Sequence, residues 1–398
     1  NVAQNFNTVI WNGDGAASRD ITSVGFVPDL VWIKKRANDT KSHRLCDVVR
    51  GANKVLYSNS NLQEGSPTNE IKAFITDGFT IGNASAVNDG AAGDKYVAWC
   101  FKAGGAAVLN EEGDEDSYVS ANNDLGFSIV KGDSTATGSD VKTVGHGLDS
   151  APELVIMKNR NGSDNWWVYS SATGVSKYLQ LNTTASTQDW LTGYPMVVNS
   201  TEVGMRTDST GTWSNMIAYC FTSKRGVSKV GSYTGTGTSG NKVYTGFEPA
   251  FIMTKRSSTS GDNWNIIDNV RDTDTNKNAY LKANENDAET DSGSSIIFNR
   301  DGFTLDGGSF NTSNQTHIYY AVAKNTNETS LIAGTNLELH LDAASFPEKG
   351  ETGYDNTPST WTDSTSNSND GTITGATFDS ELGNYLNIAS DSDYVDVP

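Results

Sequence analysis

Short apolar segments bounded by glycine, asparagine or aspartate recur along the whole chain. They are rich in Val, Ile, Tyr and Trp, which favour strands, and the residues between them are turn formers. The sequence has no long runs of Ala, Leu, Glu and Lys at helical spacing. This pattern predicts an all-β chain built from many short strands.

The apolar segments also follow an order that repeats three times. A proline, one variable residue and an apolar strand that ends in basic residues occur at 25–36, 151–160 and 246–256. Proline suits a strand entrance because no ladder N–H is needed there. A final apolar strand closes each copy at 96–102, 216–222 and 318–324. We therefore predict three divergent copies of one β-sandwich module, each of roughly 100 residues.

These landmarks set the boundaries of the predicted domains. Module 1 spans residues 1–105, module 2 residues 125–226 and module 3 residues 230–326. Residues 106–124 are acidic and poor in apolar side chains, which predicts an exposed linker. Residues 336–398 follow as a separate β-domain.

Charge restricts the partners of the chain. Its 29 Lys and Arg against 48 Asp and Glu give a net charge of −19. Nucleic-acid-binding proteins neutralise phosphates with a basic stripe, and this sequence offers only the short cluster at 34–36. No apolar run approaches the roughly 20 residues of a spanning helix. We expect neither a nucleic-acid partner nor membrane insertion.

The three cysteines fit a buried structural role. Cys100 and Cys220 occupy the same slot of modules 1 and 2, and we assign Val322 to that slot in module 3. A slot that accepts Cys or Val is a small buried hydrophobe. No Cys/His spacing of a zinc site is present, and we expect Cys46 to be a structural thiol as well.

The polar residues give no candidate catalytic site. Four histidines stand in no nucleophile or metal motif: His43, His146, His317 and His340. A glycosidase carboxylate pair cannot be singled out among 48 acids. We therefore expect no enzymatic activity and name no catalytic, cofactor-binding or metal-ligating residue.

Two acidic features have simpler explanations. Asp47 with Arg50, and Asp268 with Arg271, recur at the same spacing, and we interpret them as local ion pairs. Residues 272–276 have the oxygen-rich composition of an ion-binding loop but lack the Gly and Glu of an EF-hand. No cofactor is expected, and calcium is the one metal that this composition favours.

Four of the nine tryptophans lie in module 2 and are candidates for stacking on sugar rings: Trp166, Trp167, Trp190 and Trp213. Core packing is the competing explanation for each of them.

Two parts of the sequence resemble known families. The motifs Gly-Phe-x-Pro-Asp-Leu-Val-Trp-Ile-Lys, Asp-x-Val-Arg-Gly-Ala, Asp-Gly-Phe and Tyr-Val-Ala-Trp-Cys-Phe-Lys-Ala-Gly, within residues 25–104, resemble a repeat module of virion proteins of tailed phages, especially marine ones. Modules 2 and 3 are diverged copies: the middle one lacks the Asp/Arg pair, and the last one lacks Trp-Cys. Residues 337–344, 361–363, 367–372 and 394–398 are similar to the start of a laminin-G-like, concanavalin-type jelly roll. That resemblance implies an incomplete domain over 336–398, whose remaining strands would lie beyond Pro398.

The resemblances imply a structural protein on the virion surface, and hence an extracellular location. A tail fibre or similar appendage that contacts host surface glycans is the first expectation. Its weak sites would act through avidity in a homo-oligomer, a trimer by analogy, bound to other virion proteins. The alternatives are a capsid decoration or head-fibre protein, a bacterial surface adhesin and a glycan-degrading enzyme.

Overall fold

The computed structural model describes residues 2–37, 40–132, 141–206 and 213–324, and five short strands between residues 360 and 396. Antiparallel strands make up nearly all of its regular structure, which confirms the predicted all-β class. Of the helices that are described, none has the length and apolar character needed to cross a membrane.

Module 1 is a sandwich of an inner sheet with the order β1-β7-β3-β4 and an outer sheet with the order β2-β6-β5. Its elements are a 3-10 helix (Val2–Gln4), β1 (Phe6–Asn12), β2 (Arg19–Ile21), β3 (Leu30–Lys35), β4 (Arg44–Asp47), β5 (Ile71–Ile75), β6 (Gly78–Ile81), α1 (Ser85–Asn88) and β7 (Lys95–Phe101).

Module 2 has an eight-stranded sheet with the order β15-β14-β13-β12-β18-β10-β9-β8 and an outer sheet with the order β11-β17-β16. Its elements are β8 (Val108–Asn110), β9 (Ser117–Asn122), β10 (Phe127–Gly132), β11 (Val141–Gly145), β12 (Leu154–Asn159), β13 (Trp167–Ser170), β14 (Lys177–Gln180), β15 (Gln188–Asp189), β16 (Val197–Val198), β17 (Glu202–Arg206), a 3-10 helix (Trp213–Asn215) and β18 (Met216–Phe221).

Module 3 continues its inner strands into its outer strands in one eight-stranded sheet, with the order β19-β26-β21-β22-β23-β24-β25-β20. Its elements are β19 (Ser228–Thr234), β20 (Asn241–Tyr244), β21 (Pro249–Arg256), β22 (Asn265–Asp268), β23 (Asn276–Lys282), β24 (Thr290–Asn299), β25 (Gly302–Leu305), a 3-10 helix (Gly308–Asn311) and β26 (Thr316–Ala323).

The segment expected to hold a jelly roll lies largely outside the described residues. A three-stranded sheet and a hairpin are described there: β27 (Thr360–Trp361) with β28 (Gly371–Thr374) and β31 (Tyr394–Asp396), and β29 (Thr377–Asp379) with β30 (Tyr385–Asn387). The jelly roll stays a prediction.

The prediction of an exposed linker at residues 106–124 is wrong. Strands β8 and β9 lie there and extend the sheet of module 2 through the pairing of β9 with β10. Three of the six acidic residues of this segment, Glu111, Glu112 and Asp114, lie in the exposed turn between the two strands, whereas Glu115 is buried. Val119 in β9 is buried, so this segment belongs to the folded body.

The inner strands of the three modules pair in the same way. The orders β1-β7-β3-β4, β10-β18-β12-β13 and β19-β26-β21-β22 each place the last strand of the module beside its proline-led entry strand. Three backbone pairings are therefore equivalent: Leu30 with Phe101, Leu154 with Phe221, and Phe251 with Val322.

This register corrects the cysteine slot by one residue. Cys100 pairs with Val31, and in module 3 the matching partner of Ile252 is Ala321. Val322 instead matches Phe101 and faces the other side of the sheet. The final strand of module 3 is apolar at every position, so the sequence does not reveal which residues share a face, and only the register does.

Strand β7 shows why these segments are apolar throughout. Tyr96 and Cys100 pack into the core of module 1 itself, whereas Trp99 and Phe101 point to the opposite face of the sheet. An antiparallel strand with one wet face alternates apolar and polar residues. Here both faces are buried, so the alternation disappears.

The second face of each inner sheet packs into one core shared by all three modules. Leu30, Tyr219 and Phe251, one from each module, line an apolar cavity of about 10 Å³ within it, which is roughly the space of a single water molecule. Each module also contacts both of the others through hydrogen bonds. The three sandwiches thus form a closed ring.

Glycine in the Asp-Gly-Phe-Thr motif has a steric reason. A Cβ at Gly78 would overlap the carbonyl oxygen of Ile21 on the neighbouring strand, and a Cβ at Gly302 would overlap that of Val243. The motif therefore marks a close approach of outer strands.

Candidate functional site

Two of the four candidate tryptophans are inaccessible. Trp166 and Trp213 are fully buried. The Trp166 indole N–H donates to the carbonyl of Tyr57 at 2.9 Å, and that of Trp213 donates to the carbonyl of Lys142 at 2.9 Å. The prediction that these two indoles stack on sugar rings is wrong, because a buried ring cannot meet a sugar. The sequence does not show this burial, since the carbonyls that accept from the two indoles belong to distant segments.

The other two tryptophans are half-buried and pack against the core of module 2. Together with the half-buried Tyr178 and the exposed Leu191 we call them the aromatic patch: Trp167, Tyr178, Trp190 and Leu191. The rings of Tyr178 and Trp190 lie 4.6 Å apart, tilted by 42°. Trp167 and Tyr178 stand diagonally on one face of adjacent strands. Leu191 is 60% exposed.

Polar groups border the aromatic patch. The Tyr178 hydroxyl donates to Oε1 of Gln188 at 2.8 Å, and Lys177 forms an exposed ion pair with Asp189. The corresponding loop of module 1, residues 65–70, reads Gly-Ser-Pro-Thr-Asn-Glu and carries no aromatic or large aliphatic side chain. The aromatic patch is therefore a property of module 2.

The Asp/Arg pair of module 1 is part of a buried bridge to module 2. Arg50 Nε donates to Asp47 at 2.6 Å, and Arg50 Nη1 donates to Glu64 at 3.1 Å. From module 2, the Tyr219 hydroxyl donates to Asp47 at 2.8 Å. Arg160 of module 2 donates to both oxygens of Glu64, at 3.0 and 3.1 Å. The pair is local, as expected, and it also joins two modules.

The same bridge joins module 3 to module 1. Arg271 donates to Asp268 at 2.5 Å and to Glu289 at 2.6 Å. From module 1, the Trp99 indole N–H donates to Asp268 at 2.9 Å, and Arg36 donates to both oxygens of Glu289, at 2.7 and 3.0 Å. The Arg271 guanidinium also lies 5.5 Å from the centre of the Trp99 ring.

The Asp268–Arg271 pair stays charged inside the protein. Burial alone would raise the pKa of Asp268, but the Arg271 charge and the hydrogen bonds to the carboxylate outweigh it, so the pKa lies below its ordinary value. Burial likewise disfavours the charged form of Arg271, yet the carboxylates of Asp268 and Glu289 raise its pKa. A buried charge of this kind is tolerable only while its partner is present.

A second set of contacts is present at all three interfaces between modules. His43, Trp166 and Trp264 occupy equivalent positions, and each directs a ring nitrogen to a backbone carbonyl of a neighbouring module, at 3.0, 2.9 and 2.9 Å. These carbonyls belong to Lys282, Tyr57 and Gln180. His43 Nδ1 accepts from the Trp32 indole N–H at 2.8 Å, so the proton of the neutral ring sits on Nε2.

The repeated lysine of each entry strand is buried as well. Lys34, Lys158 and Lys255 are inaccessible, and their ammonium groups donate to backbone carbonyls. Burial lowers the pKa of Lys158 and of Lys255 to about 8. The lysine that ends the motif is therefore a structural cation.

In the loop at residues 272–276, the ammonium group of the following residue, Lys277, lies against the backbone carbonyls. Lys277 Nζ donates to the carbonyls of Asp272 and Asp274, both at 2.9 Å. The Asp272 carboxylate accepts the backbone N–H groups of Asp274, Asn278 and Ala279. Within the described ranges, no group of three or more His, Cys, Asp or Glu side chains is placed to hold a metal ion.

The cysteines lie in the cores of their modules. Cys46, Cys100 and Cys220 are free and fully buried. Burial raises the pKa of each thiol, that of Cys220 to about 12, so these groups stay protonated and unreactive at neutral pH.

The bridges leave only a partial signal in the sequence. Arg36 and Arg160 recur eight residues after the proline of modules 1 and 2, and the Asp/Arg pair recurs in modules 1 and 3. The glutamates that complete the bridges, Glu64 and Glu289, lie in loops of unlike sequence. Only the structure shows that they are equivalent.

One family model, described as Domain of unknown function (DUF7483), matches residues 1–326. No curated protein and no solved structure matches the chain. The matched span takes in all three modules and the strands between them, which agrees with a ring that shares one core. The chain therefore belongs to the DUF7483 family, whose domain covers modules 1 to 3.

Proposed function

We propose that this chain is a structural protein of a phage virion surface, with a tail fibre or similar appendage as its first assignment. One observation carries the structural part of the proposal: the buried charged clusters brace one module against another. Such an arrangement stiffens a building block. The virion part is supported by the resemblance of residues 25–104 to phage repeat modules.

Host glycan contact is assigned to the aromatic patch. Half-exposed indole and phenol rings present flat apolar faces, and the Gln188 and Asp189 side chains beside them can hydrogen-bond to hydroxyl groups. This combination suits the alternating C–H and O–H surface of a sugar ring. A single such site binds weakly, so attachment would need several copies per particle.

A capsid decoration or head-fibre protein is the second assignment, since a rigid ring suits it equally. Immunogold electron microscopy of phage particles, with antibody raised against residues 1–326, distinguishes the two. We expect gold at the tail or its fibres. Gold spread over the capsid would move the protein to the decoration class, and particles without gold would reject a virion protein and leave an adhesin or an enzyme.

A further inference from the structure

The three interfaces of the ring are built alike, but one of them lacks the charged bridge. Where the other modules carry aspartate, arginine and glutamate, module 2 has Ser170, Thr173 and Thr187. Opposite them, module 3 has Tyr320 in place of Trp99 or Tyr219, and Ser257 in place of Arg36 or Arg160. The interface between modules 2 and 3 thus has no ion pair at this position.

Two buried polar atoms are left without a partner there. The Tyr320 hydroxyl and the Ser170 hydroxyl are both inaccessible, and neither makes a hydrogen bond. A buried, unsatisfied polar group costs about 1–3 kcal/mol. The equivalent Tyr219 hydroxyl bonds to both Asp47 and Arg50.

The interface keeps contacts other than ion pairs: the Lys255 ammonium donates to the carbonyl of Thr184 at 3.4 Å, and Ser186 and Ser260 are hydrogen-bonded to each other at 3.0 and 3.1 Å. The Trp264 indole N–H donates to the carbonyl of Gln180 at 2.9 Å, and the backbone N–H of Thr187 donates to the carbonyl of Ser257 at 3.0 Å. The backbone N–H of Gly261 donates to the carbonyl of Thr184 at 2.9 Å. Equivalents of the Trp264 and Thr187 contacts are present at both other interfaces, so these two do not compensate for the missing bridge.

The chain path explains how the ring tolerates this. Modules 2 and 3 are joined directly, because β18 ends at Phe221 and β19 begins at Ser228. Modules 1 and 3 are the first and the last of the three modules along the chain, so no direct chain connection holds them together. The charged bridge is present at that closure and absent where the connection is tightest.

We propose that the interface between modules 2 and 3 is the seam at which the ring opens. Opening separates these two modules about the turn at residues 222–227, while both charged bridges stay closed. It exposes Tyr320 and the neighbouring face of the shared core to solvent. Local openings of this kind occur where stabilising contacts are fewest.

Hydrogen exchange on the full chain tests the proposal with internal controls. The backbone N–H groups of Glu64, Glu289 and Thr187 are equivalent, and each crosses one interface, to the carbonyls of Arg160, Arg36 and Ser257 at 2.8, 2.8 and 3.0 Å. We expect the protection factor of Thr187 to be at least tenfold below those of the two glutamates, which corresponds to about 1.4 kcal/mol. Equal protection at all three amides would overturn the seam.

A rebuilt bridge tests its cause. The double variant Ser170→Asp with Thr173→Arg introduces the missing pair beside the Tyr320 hydroxyl. We expect it to raise the protection of Thr187 and leave that of Glu64 unchanged. A folded double variant with Thr187 protection no higher than wild type would show that the missing bridge does not weaken this interface. The wild-type comparison of the three amides stands even if the variant does not fold.

Discussion

Two tyrosines at equivalent positions differ in their surroundings, so their hydroxyls should contribute differently to the free energy of unfolding. Tyr219→Phe removes hydrogen bonds to the charged side chains of Asp47 and Arg50. We expect it to lower the free energy of unfolding by about 1.5–3 kcal/mol, the usual range for a bond to a charged group. Tyr320→Phe removes a hydroxyl that has no partner and should leave stability unchanged or raised.

Urea unfolding of the two variants beside wild type measures this difference, and each variant is the control for the other. Equal losses of stability would contradict the absence of the bridge from the interface between modules 2 and 3.

Buried neutral histidines predict the acid sensitivity of the protein. Burial lowers the pKa of His317 to about 4, with Arg256 and Lys255 adding to it, and lowers that of His43 well below its ordinary value. In the unfolded chain His317 takes up its proton near pH 6.5, but in the folded chain it does so only at about pH 4. The unfolded state then binds more protons, so the free energy of unfolding falls as the pH is lowered from 6.5 towards 4.

His317→Phe tests this slope. The ring of His317 stacks on Tyr233 at 4.9 Å and an interplanar angle of 4°, and phenylalanine can keep that contact. We expect the pH dependence between 6.5 and 4.5 to become shallower by up to about 1.4 kcal/mol per pH unit, the value of one proton. Urea titrations at several pH values measure it, and an unchanged slope would show that His317 titrates normally in the fold.

The aromatic patch yields a binding prediction. Trp190→Ala removes a stacking surface from the patch, and we expect the binding of labelled protein to host cells to fall at least tenfold. Leu62→Ala is the matched control, because Leu62 is also an exposed apolar side chain, 55% accessible, but lies in module 1. Equal binding by wild type and Trp190→Ala, or an equal loss in both variants, would remove the glycan role from the patch.

At the scale of single residues, the sequence distinguished core from surface only in part. The alignment of the cysteines with hydrophobic residues correctly predicted buried thiols. The burial of Trp166 depends on a carbonyl of module 1 more than 100 positions away, and no local pattern reports such a contact. Residue type and spacing alone did not distinguish the buried from the accessible tryptophans of module 2.

At the scale of elements, strands β8 and β9 make the connection between modules 1 and 2 part of a sheet. Their acidic turn holds the exposed residues Glu111 and Glu112. We expect a protease that cuts after glutamate to nick this turn and to leave the two fragments associated, because β8 stays paired with β9 and modules 1 and 2 share a buried core. Size-exclusion chromatography of the nicked protein measures this, and two separate, stably folded fragments would restore the linker that the composition predicted.

The existence of the inner strands could be predicted, but their surroundings could not. Proline at the entrance and an unbroken apolar run identified β3, β12 and β21 from the sequence. An apolar run is compatible with a strand between two layers of one domain or with a strand between two domains. Only the register shows that Ala321 matches Cys100. An alternating pattern is needed to assign the faces of a strand from its sequence, and strand β26 has no such pattern.

At the scale of the whole molecule, one chain forms a ring with three similar interfaces. The repeat indicated three independent sandwiches that follow one another along the chain. Closure depends on Asp47, Asp268 and their partners from the next module, which are distant in sequence and occur in only two copies. A shared core could not be inferred, because each module taken alone has the composition of a complete sandwich.

The ring also bears on assembly. The expected trimer would place three chains around an axis, and this single chain already places three modules around one core. We therefore expect any homo-oligomer to form through surfaces outside the ring core.

Small-angle X-ray scattering of residues 1–326 tests the closed ring most directly. A single compact body of this length has a radius of gyration of about 20 Å, whereas three modules in a row, each of about 13 Å, would give about 30 Å. We expect the compact value. A radius near that of the extended row would contradict the ring and its shared core.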